Sequence, residues 1–218
     1  MKPTLRSPRP QPARLVLAAA AALLLGGCSL LGGNKPGQGV TIYAPVVEAR
    51  PDPDWPQVEW QLAIARPSAS RMVDSPRIGV RPVPGELQVY RGAVWAQPPT
   101  DQVEAGVLRL LEDSGKIAAV GRLTTGLRAD YRLAMDLRRY EADYRGGDLP
   151  TAIIEVNAKL LSNPDQRIVA STTFTETEAA ASTDTAAVAQ AFGRALSRAS
   201  QRIAGWTLVQ GQADHARP

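Results

Sequence analysis

The second half of the chain has the pattern that most narrowly restricts the fold. Apolar and polar side chains alternate over three consecutive segments, a period typical of half-buried β-strands. The turns between them, Gly146–Asp148 and Ser162–Asp165, are short, so we expect an antiparallel meander with one dry face and one solvated face. The expected inward positions are Tyr131, Leu133, Met135, Leu137, Ala152, Ile154, Val156, Ala158, Leu160, Ile168, Ala170, Thr172 and Phe174.

Two segments with helical periodicity accompany these strands. The first begins near Thr100 and ends at Ser114–Gly115, and the second runs from about Asp184 to Gly205. Shorter strands are expected between Gln57 and Val120. The pattern therefore predicts an α+β fold, with a largely antiparallel sheet and two helices packed on one face. The expected apolar stripes are Val103, Val107, Leu110 and Leu111 on the first helix, and Val188, Phe192, Ala195, Leu196, Ala199 and Ile203 on the second.

Cys28 is the only cysteine, and its position indicates how the chain is processed. It follows a leader with four basic and no acidic residues, the apolar run Leu15–Leu25, and then Gly26 and Gly27. This arrangement is typical of a secretory signal, and a cysteine at its end resembles the lipobox of bacterial lipoproteins, in which the thiol is acylated. The alternatives are a transmembrane anchor, which needs about twenty apolar residues rather than eleven, and a signal with an incidental cysteine.

Composition predicts four consecutive segments. We expect a lipoprotein signal peptide over residues 1–27, a flexible Gly- and Pro-rich tether over 28–56, the α+β domain over 57–210 and a polar tail over 211–218. Within the tether, Val40–Tyr43 is a β-prone exception. By resemblance to lipoprotein sorting, Ser29 in place of an aspartate favours a lipid-anchored location at the periplasmic face of the outer membrane.

The formal charge of +4 arises from the leader. Removing its four basic residues leaves 21 of the 25 Lys and Arg residues against 21 Asp and Glu residues, so the processed chain is formally neutral. The composition therefore predicts no nucleic-acid partner.

The sequence offers no group of residues with catalytic chemistry. The only histidine, His215, falls in the predicted polar tail, where it cannot be held against a nucleophile. One histidine and one cysteine do not make a metal site. Glu176 and Glu178 are placed in a Thr-rich turn facing solvent. We therefore expect a non-enzymatic protein without a cofactor or metal.

Two features are candidates for contact with a partner. Arg194, Arg198 and Arg202 follow one helix face at spacings of four residues, which fits either a solvated face or a strip for an acidic partner. Trp95, just before Pro98–Pro99, fits either a core position or an interface.

Three motifs in order resemble a known family. They are PRIGVRPVPGEL at 76–87, YRGAVWAQP at 90–98 and LEDSGKI at 111–117, and an alanine-rich helix containing Phe192 follows. Together with the lipobox they resemble the ABC-type transport auxiliary lipoproteins, the PqiC-like group, over residues 57–206. The chain departs from that group at Ile117, where an aromatic is common, and at the opening Glu59–Leu62.

The resemblance implies a role in moving lipids between the inner and outer membranes. In such systems an ABC permease and ATPase, or another inner-membrane protein, work with an MCE-domain subunit. The accessory lipoprotein is expected to dock that subunit at the outer membrane, alone or as a homo-oligomer. The family supplies no catalytic residues, so only Cys28 is transferred, as the lipidation site. The alternative is a lipoprotein module that regulates a cell-wall or envelope-assembly machine.

Overall fold

The computed structural model describes residues 39–126 and 128–217, and within them the chain forms nine strands and two α-helices. The predicted signal peptide and Cys28 lie outside the described residues. The strands are β1 (Thr41–Tyr43), β2 (Val58–Ile64), β3 (Ser68–Ala69), β4 (Arg77–Arg81), β5 (Gln88–Trp95), β6 (Ile117–Arg122), β7 (Tyr131–Asp143), β8 (Thr151–Ser162) and β9 (Ile168–Ala179), and the helices are α1 (Pro99–Ser114) and α2 (Thr185–His215).

The 13-residue strand β7 is the axis of the sheet. On one side it pairs antiparallel with β8, which pairs antiparallel with β9, so the predicted pairing of the meander is confirmed. The predicted inward position of Ile168 is wrong, because its side chain is 55% exposed. On the other side three short strands lie one after another along β7, all parallel to it: β2 beside Tyr131–Leu133, β3 beside Asp136–Leu137 and β4 beside Glu141–Asp143.

The prediction of a largely antiparallel sheet is wrong, because the sheet is mixed. Besides the three short strands on β7, β1 pairs parallel with β5 and β2 pairs parallel with β6, whereas β4 and β5 are antiparallel. A parallel pair needs a long crossover, and the chain between β2 and β6 supplies one that includes α1. Alternation reports which residues face inward but not the strand direction, so the α+β class is consistent with the structure while the pairing was mispredicted.

Both helices pack on the sheet and on each other. Helix α2 lies against β8 and β9, and α1 lies against β6 and α2. The inward positions of β8 and the apolar stripes of both helices are all almost completely buried in one core, as predicted. Phe192 of α2 stacks on Tyr140 of β7, with ring centroids 4.8 Å apart.

Helix α2 extends ten residues beyond the predicted end at Gly205, and the predicted polar tail over 211–218 is helical through His215. Gly205 lies inside the helix because it accommodates a tryptophan: a Cβ at this position would come 2.5 Å from Nε1 of Trp55. A Cβ on Gly211 would likewise overlap the ring of Trp60. These glycines permit close packing and do not end the helix.

The predicted tether is docked on the domain over its second half. Strand β1 pairs with β5, and residues 44–55, here called the strap, then cross both helices. The Glu48 amide donates to Oγ of Ser197 at 3.0 Å, and the Trp55 side chain is buried against Gly205. Composition rich in proline suggested a free linker, but small residues on α2 give this extended segment a surface to pack on.

Candidate functional site

A cavity of about 420 Å³ lies beside the strap. The end of β1 and the strap form one wall, and the N-terminal half of α2 forms the other. Ala186, Ala189, Gly193 and Ser197 follow one another at spacings of three or four residues, so small side chains share one helix face and leave a groove. Tyr43, Pro45 and Val46 line the opposite wall, which makes the groove mainly apolar.

A second cavity of about 190 Å³ lies on the α1 side of the strap. Gly106 lets α1 come close to both α2 and the strap. A Cβ at this position would lie 2.5 Å from Oγ of Ser200 and 3.0 Å from Cγ2 of Val47. Oγ of Ser200 is buried and has no hydrogen-bond partner in the described structure. The strap thus packs in a seam of small residues between the two helices.

The three arginines of the predicted strip form ion pairs with strand β9. Arg194 donates from Nε to Oε1 of Glu178 at 2.7 Å, and Arg198 reaches the other carboxylate oxygen of Glu178 at 2.9 Å. Arg202 pairs with Glu176, and its guanidinium lies 5.3 Å from the centroid of the Phe174 ring. All three arginines keep about half of their side chains exposed.

Glu176 and Glu178 are therefore the residues that the sequence interpretation misplaced. They lie within β9 and not in a turn, and Glu176 is only 7% exposed. Hydrogen bonding from Arg194, helped by Arg198, lowers the pKa of Glu178 below its ordinary value. The two glutamates are two residues apart and continue the alternation that runs through Thr172 and Phe174. This spacing could have placed both of them on one face of the strand. The arginine strip holds α2 on the sheet.

Trp95 lies in the core. Its side chain is 3% exposed and makes edge contacts with Tyr140 and Phe192 at centroid distances of 5.8 and 5.1 Å. Of the two predictions for this residue, the core position is the one in the structure, and its indole is not available at the surface of the described fold.

A second charged cluster joins β4 to β7, and sequence reasoning missed it. Glu141 accepts bonds from Nε and Nη2 of Arg81, both at 3.0 Å, and from Arg139, which also donates to Asp143 at 2.7 Å. Burial disfavours the charged form of Glu141, but hydrogen bonds from Arg81 and Arg139 outweigh it and hold the pKa below its ordinary value. Residues 60 positions apart are brought together here, so no local pattern could reveal the cluster.

A third cluster fixes the C-terminal end of α2. The Tyr131 hydroxyl donates to Asp214 at 3.0 Å, and Nη2 of Arg167 lies within 2.8 Å of both carboxylate oxygens of Asp214. Burial, assisted by the bond to Asp214, raises the pKa of Tyr131 to about 12. His215 lies next to Asp214 in the last turn of α2 but is exposed.

The three polar clusters of the described chain join neighbouring elements through ion pairs and hydrogen bonds. Over residues 39–126 and 128–217 no group of three or more His, Cys, Asp or Glu residues is arranged to hold a metal ion. Within the same ranges, no helix combines the length and the apolar character needed to cross a membrane. The groove beside the strap and the exposed edge of β1 are two surface features of the described chain.

The sequence and the fold match known proteins. A family model described as "ABC-type transport auxiliary lipoprotein component" matches residues 41–204. A crystal structure of a Xanthomonas campestris protein, from a domain family of unknown function, is 59% identical to this chain. The two superpose with a TM-score of 0.78, covering 81% of this chain and 100% of that chain.

Two more distant matches add to this. An uncharacterized protein of Bradyrhizobium diazoefficiens is 27% identical over 192 residues, which cover 86% of this chain. The chain spans only 50% of the length of that curated relative. The crystal structure of another uncharacterized protein, 12% identical, has a TM-score of 0.57 and covers 72% of this chain and 97% of that one, so it shares the fold.

Proposed function

Because the chain belongs to the family of ABC-type transport auxiliary lipoprotein components, we propose that it is the non-enzymatic accessory lipoprotein of an ABC/MCE-type system that moves lipids between membranes. The observation that carries this proposal is the family match over residues 41–204, which includes the whole sheet, α1 and most of α2. The match extends through β1 and the strap, so the docked segment is part of the family domain.

The anchor in this proposal is a lipid on Cys28. The leader that precedes it and the absence of any other cysteine support acylation as the fate of this thiol. Two or three acyl chains hold a protein on a bilayer where one chain would be marginal. Ser29 supports sorting to the outer membrane, with the domain on the periplasmic side.

A docking role is consistent with the pairing of the buried carboxylates, which bind arginines of the same domain. The carboxylates of Glu141, Glu176 and Asp214 are each paired with arginines in buried or half-buried clusters. These contacts hold strands and helices together and leave the clusters no obvious nucleophile or base. We therefore propose that the domain acts through its surface, by docking a periplasmic MCE-domain subunit of the transport system.

The direct experiment is capture of the acylated full-length protein from crosslinked envelope extracts. The MCE-domain subunit, with or without the ABC permease and ATPase, should be recovered specifically with the native protein. Cys28→Ser is the matched control, because it removes the acylated thiol and leaves the described domain unchanged. Loss of the partner from the Cys28→Ser chain, with no lipid on that chain by mass spectrometry, supports both the anchor and the docking.

The contrary result would be a specific set of partners without an MCE-domain protein. If cell-wall synthases or their regulators were captured instead, the proposal of lipid transport would be rejected. A deletion strain separates the two functions independently. Loss of lipid asymmetry in the outer membrane is expected from the transport role, and altered peptidoglycan synthesis with normal lipid asymmetry would contradict it.

A further inference from the structure

Large aliphatic side chains are exposed together at the start of the folded unit. Val40, Ile42 and Val46 are 60%, 67% and 61% exposed and fall within seven residues of one another. Isolated exposed aliphatics are ordinary on protein surfaces, whereas a group of them marks a contact. The other large exposed hydrophobic residues of the described chain lie apart on separate elements and loops: Met72, Val83, Leu123, Leu149, Ile168 and Val209.

The three side chains lie on both sides of a free sheet edge. In the described structure β1 pairs with β5 alone, which makes it an edge strand of the sheet. Tyr43 is in register with the inward-facing Trp95, so alternation places Ile42 and Val40 on the face opposite to the helices. Val46 borders the groove on the helix side. An object that approaches the molecule edge-on would meet all three.

The position of Cys28 in the sequence limits what that object is. Only eleven residues separate Cys28 from Val40. Twelve residue steps span at most about 40 Å even when fully extended. An acylated Cys28 therefore limits the distance between this edge and the bilayer that holds its lipid to less than the length of α2. We infer that the edge patch, Val40, Ile42 and Val46, rests in the interfacial layer of that bilayer, an inference that depends on the lipid anchor of the proposed function.

The open backbone of β1 fixes how deep the contact goes. The outer amides and carbonyls of an edge strand need partners, and the hydrocarbon interior offers none. The headgroup layer, by contrast, supplies water and polar groups to the backbone while the aliphatic side chains reach the acyl boundary. Interfacial contacts of this kind are about 5–10 Å deep. The patch is thus expected to lie shallowly and to orient the domain without crossing the membrane.

The far end of the molecule provides a matched control. Ile168, at the start of β9, is 55% exposed and lies near the C-terminal end of α2, since the adjacent Arg167 binds Asp214. The groove beside β1 lies at the other end of this helix, next to Ala186. A helix of 31 residues is about 45 Å long, so Ile42 and Ile168 test opposite ends of the same protein.

The experiment places a nitroxide spin label on the full-length acylated chain in vesicles of phosphatidylethanolamine and phosphatidylglycerol. Cys28 is consumed by the lipid, so Ile42→Cys provides a unique thiol, and Ile168→Cys is labelled in parallel. Oxygen concentrates in the bilayer, whereas a nickel chelate stays in water. We expect the label at residue 42 to gain oxygen accessibility and to lose nickel accessibility on the vesicles, relative to a chain that lacks residues 1–28 in buffer. The label at residue 168 should not change.

Each other outcome has a defined meaning. If mass spectrometry confirms acylation but the label at 42 stays as accessible to nickel as the label at 168, the membrane contact is rejected while the anchor stands. Dipolar broadening that grows with protein density identifies a second copy on this edge and rejects the inference. Shielding that requires an added MCE-domain subunit rejects it as well. An unacylated Cys28 overturns the anchor together with the contact. Val46→Cys repeats the measurement if Ile42→Cys does not fold.

Discussion

In the C-terminal half of the folded unit, from β7 to α2, every element is long and is paired or packed along its length. Strands β8 and β9 have twelve residues each, and α2 has 31. In the N-terminal half the strands have two to eight residues, and an ion pair between Arg81 and Glu141 joins β4 to β7. The C-terminal half therefore follows from regular local patterns in the sequence. The N-terminal half depends more on contacts between residues that are far apart in the chain.

The largest effect is expected from Phe192→Ala, which tests the regular half. Phe192 is fully buried, stacks on Tyr140 and makes an edge contact with Trp95. The loss of its ring should lower the free energy of unfolding by about 3–5 kcal/mol. Thermal or denaturant unfolding measures this. A loss confined to α2, with the sheet still protected from hydrogen exchange, would contradict the single shared core.

Glu141→Gln tests the contact between the two halves, because Glu141 on β7 binds Arg81 on β4. Removing its charge weakens the bonds from Arg81 and Arg139 and should cost about 2 kcal/mol. The native pKa of Glu141 is depressed, so its contribution is present above the ordinary value of 4.5 and is lost as the pH falls through the lower native pKa.

Unfolding curves between neutral pH and the acid range measure this pH dependence. The native protein should lose stability as the pH falls below about 4.5, and Glu141→Gln should lose less over the same range. Glu178→Gln is the control, since the pKa of Glu178 is also lowered but its side chain is 25% exposed against 6% for Glu141. If the free energy of unfolding falls equally steeply with pH in both variants, Glu141 contributes no more to the pH dependence than Glu178 does.

Gly205→Ala tests how the strap is placed. The new Cβ would come 2.5 Å from Nε1 of Trp55, and overpacking of this kind costs about 1–3 kcal/mol. We expect Trp55 to leave its site and residues 44–55 to become sensitive to proteolysis. Gly193→Ala is the matched control, because its Cβ would meet only ordinary contacts near 3.7 Å and alanine is the better helix former. Equal protease sensitivity in both variants would reject the role of Gly205.

The smallest of these effects is expected from Asp74→Ala. The first turn of α1 has no cap from its own N-cap residue, Pro98, and instead Asp74 accepts bonds from the Thr100 amide at 3.1 Å and hydroxyl at 2.7 Å. The loss of these bonds should cost about 1 kcal/mol, as for other N-terminal caps. Amide exchange at the start of α1 should accelerate, while exchange in β8 stays unchanged.

The sequence predicts the parts of this molecule that depend on local periodicity. The stripe on β8 and the face of α2 that carries Phe192 could be assigned because neighbouring positions carry the signal. Gly205 was misread as a helix end because the tryptophan that explains it lies 150 residues earlier in the chain. The direction of β2 and β4 along β7 was also inaccessible, since alternation is the same for parallel and antiparallel strands.

The candidate site was predictable to a smaller extent. The arginine spacing on α2 was visible, but its partners Glu176 and Glu178 were assigned to a turn, so the strip looked free. The groove beside the strap could not be inferred, because it depends on an extended segment whose composition resembles a linker. Cys28 remains a sequence-based prediction.

The arrangement of three short strands along one edge of β7 also determines where this domain tolerates changes in chain length. Each short strand has its own stretch of β7, so an insertion within the exposed residues 70–72 would lengthen a surface link and leave every pairing in place. A single-residue deletion within the regularly alternating part of β7, between Tyr131 and Leu137, would turn the side chains on one side of the deletion to the opposite face and break the register with both neighbours. Length variation among relatives should therefore be concentrated in the links and rare within the axis strand.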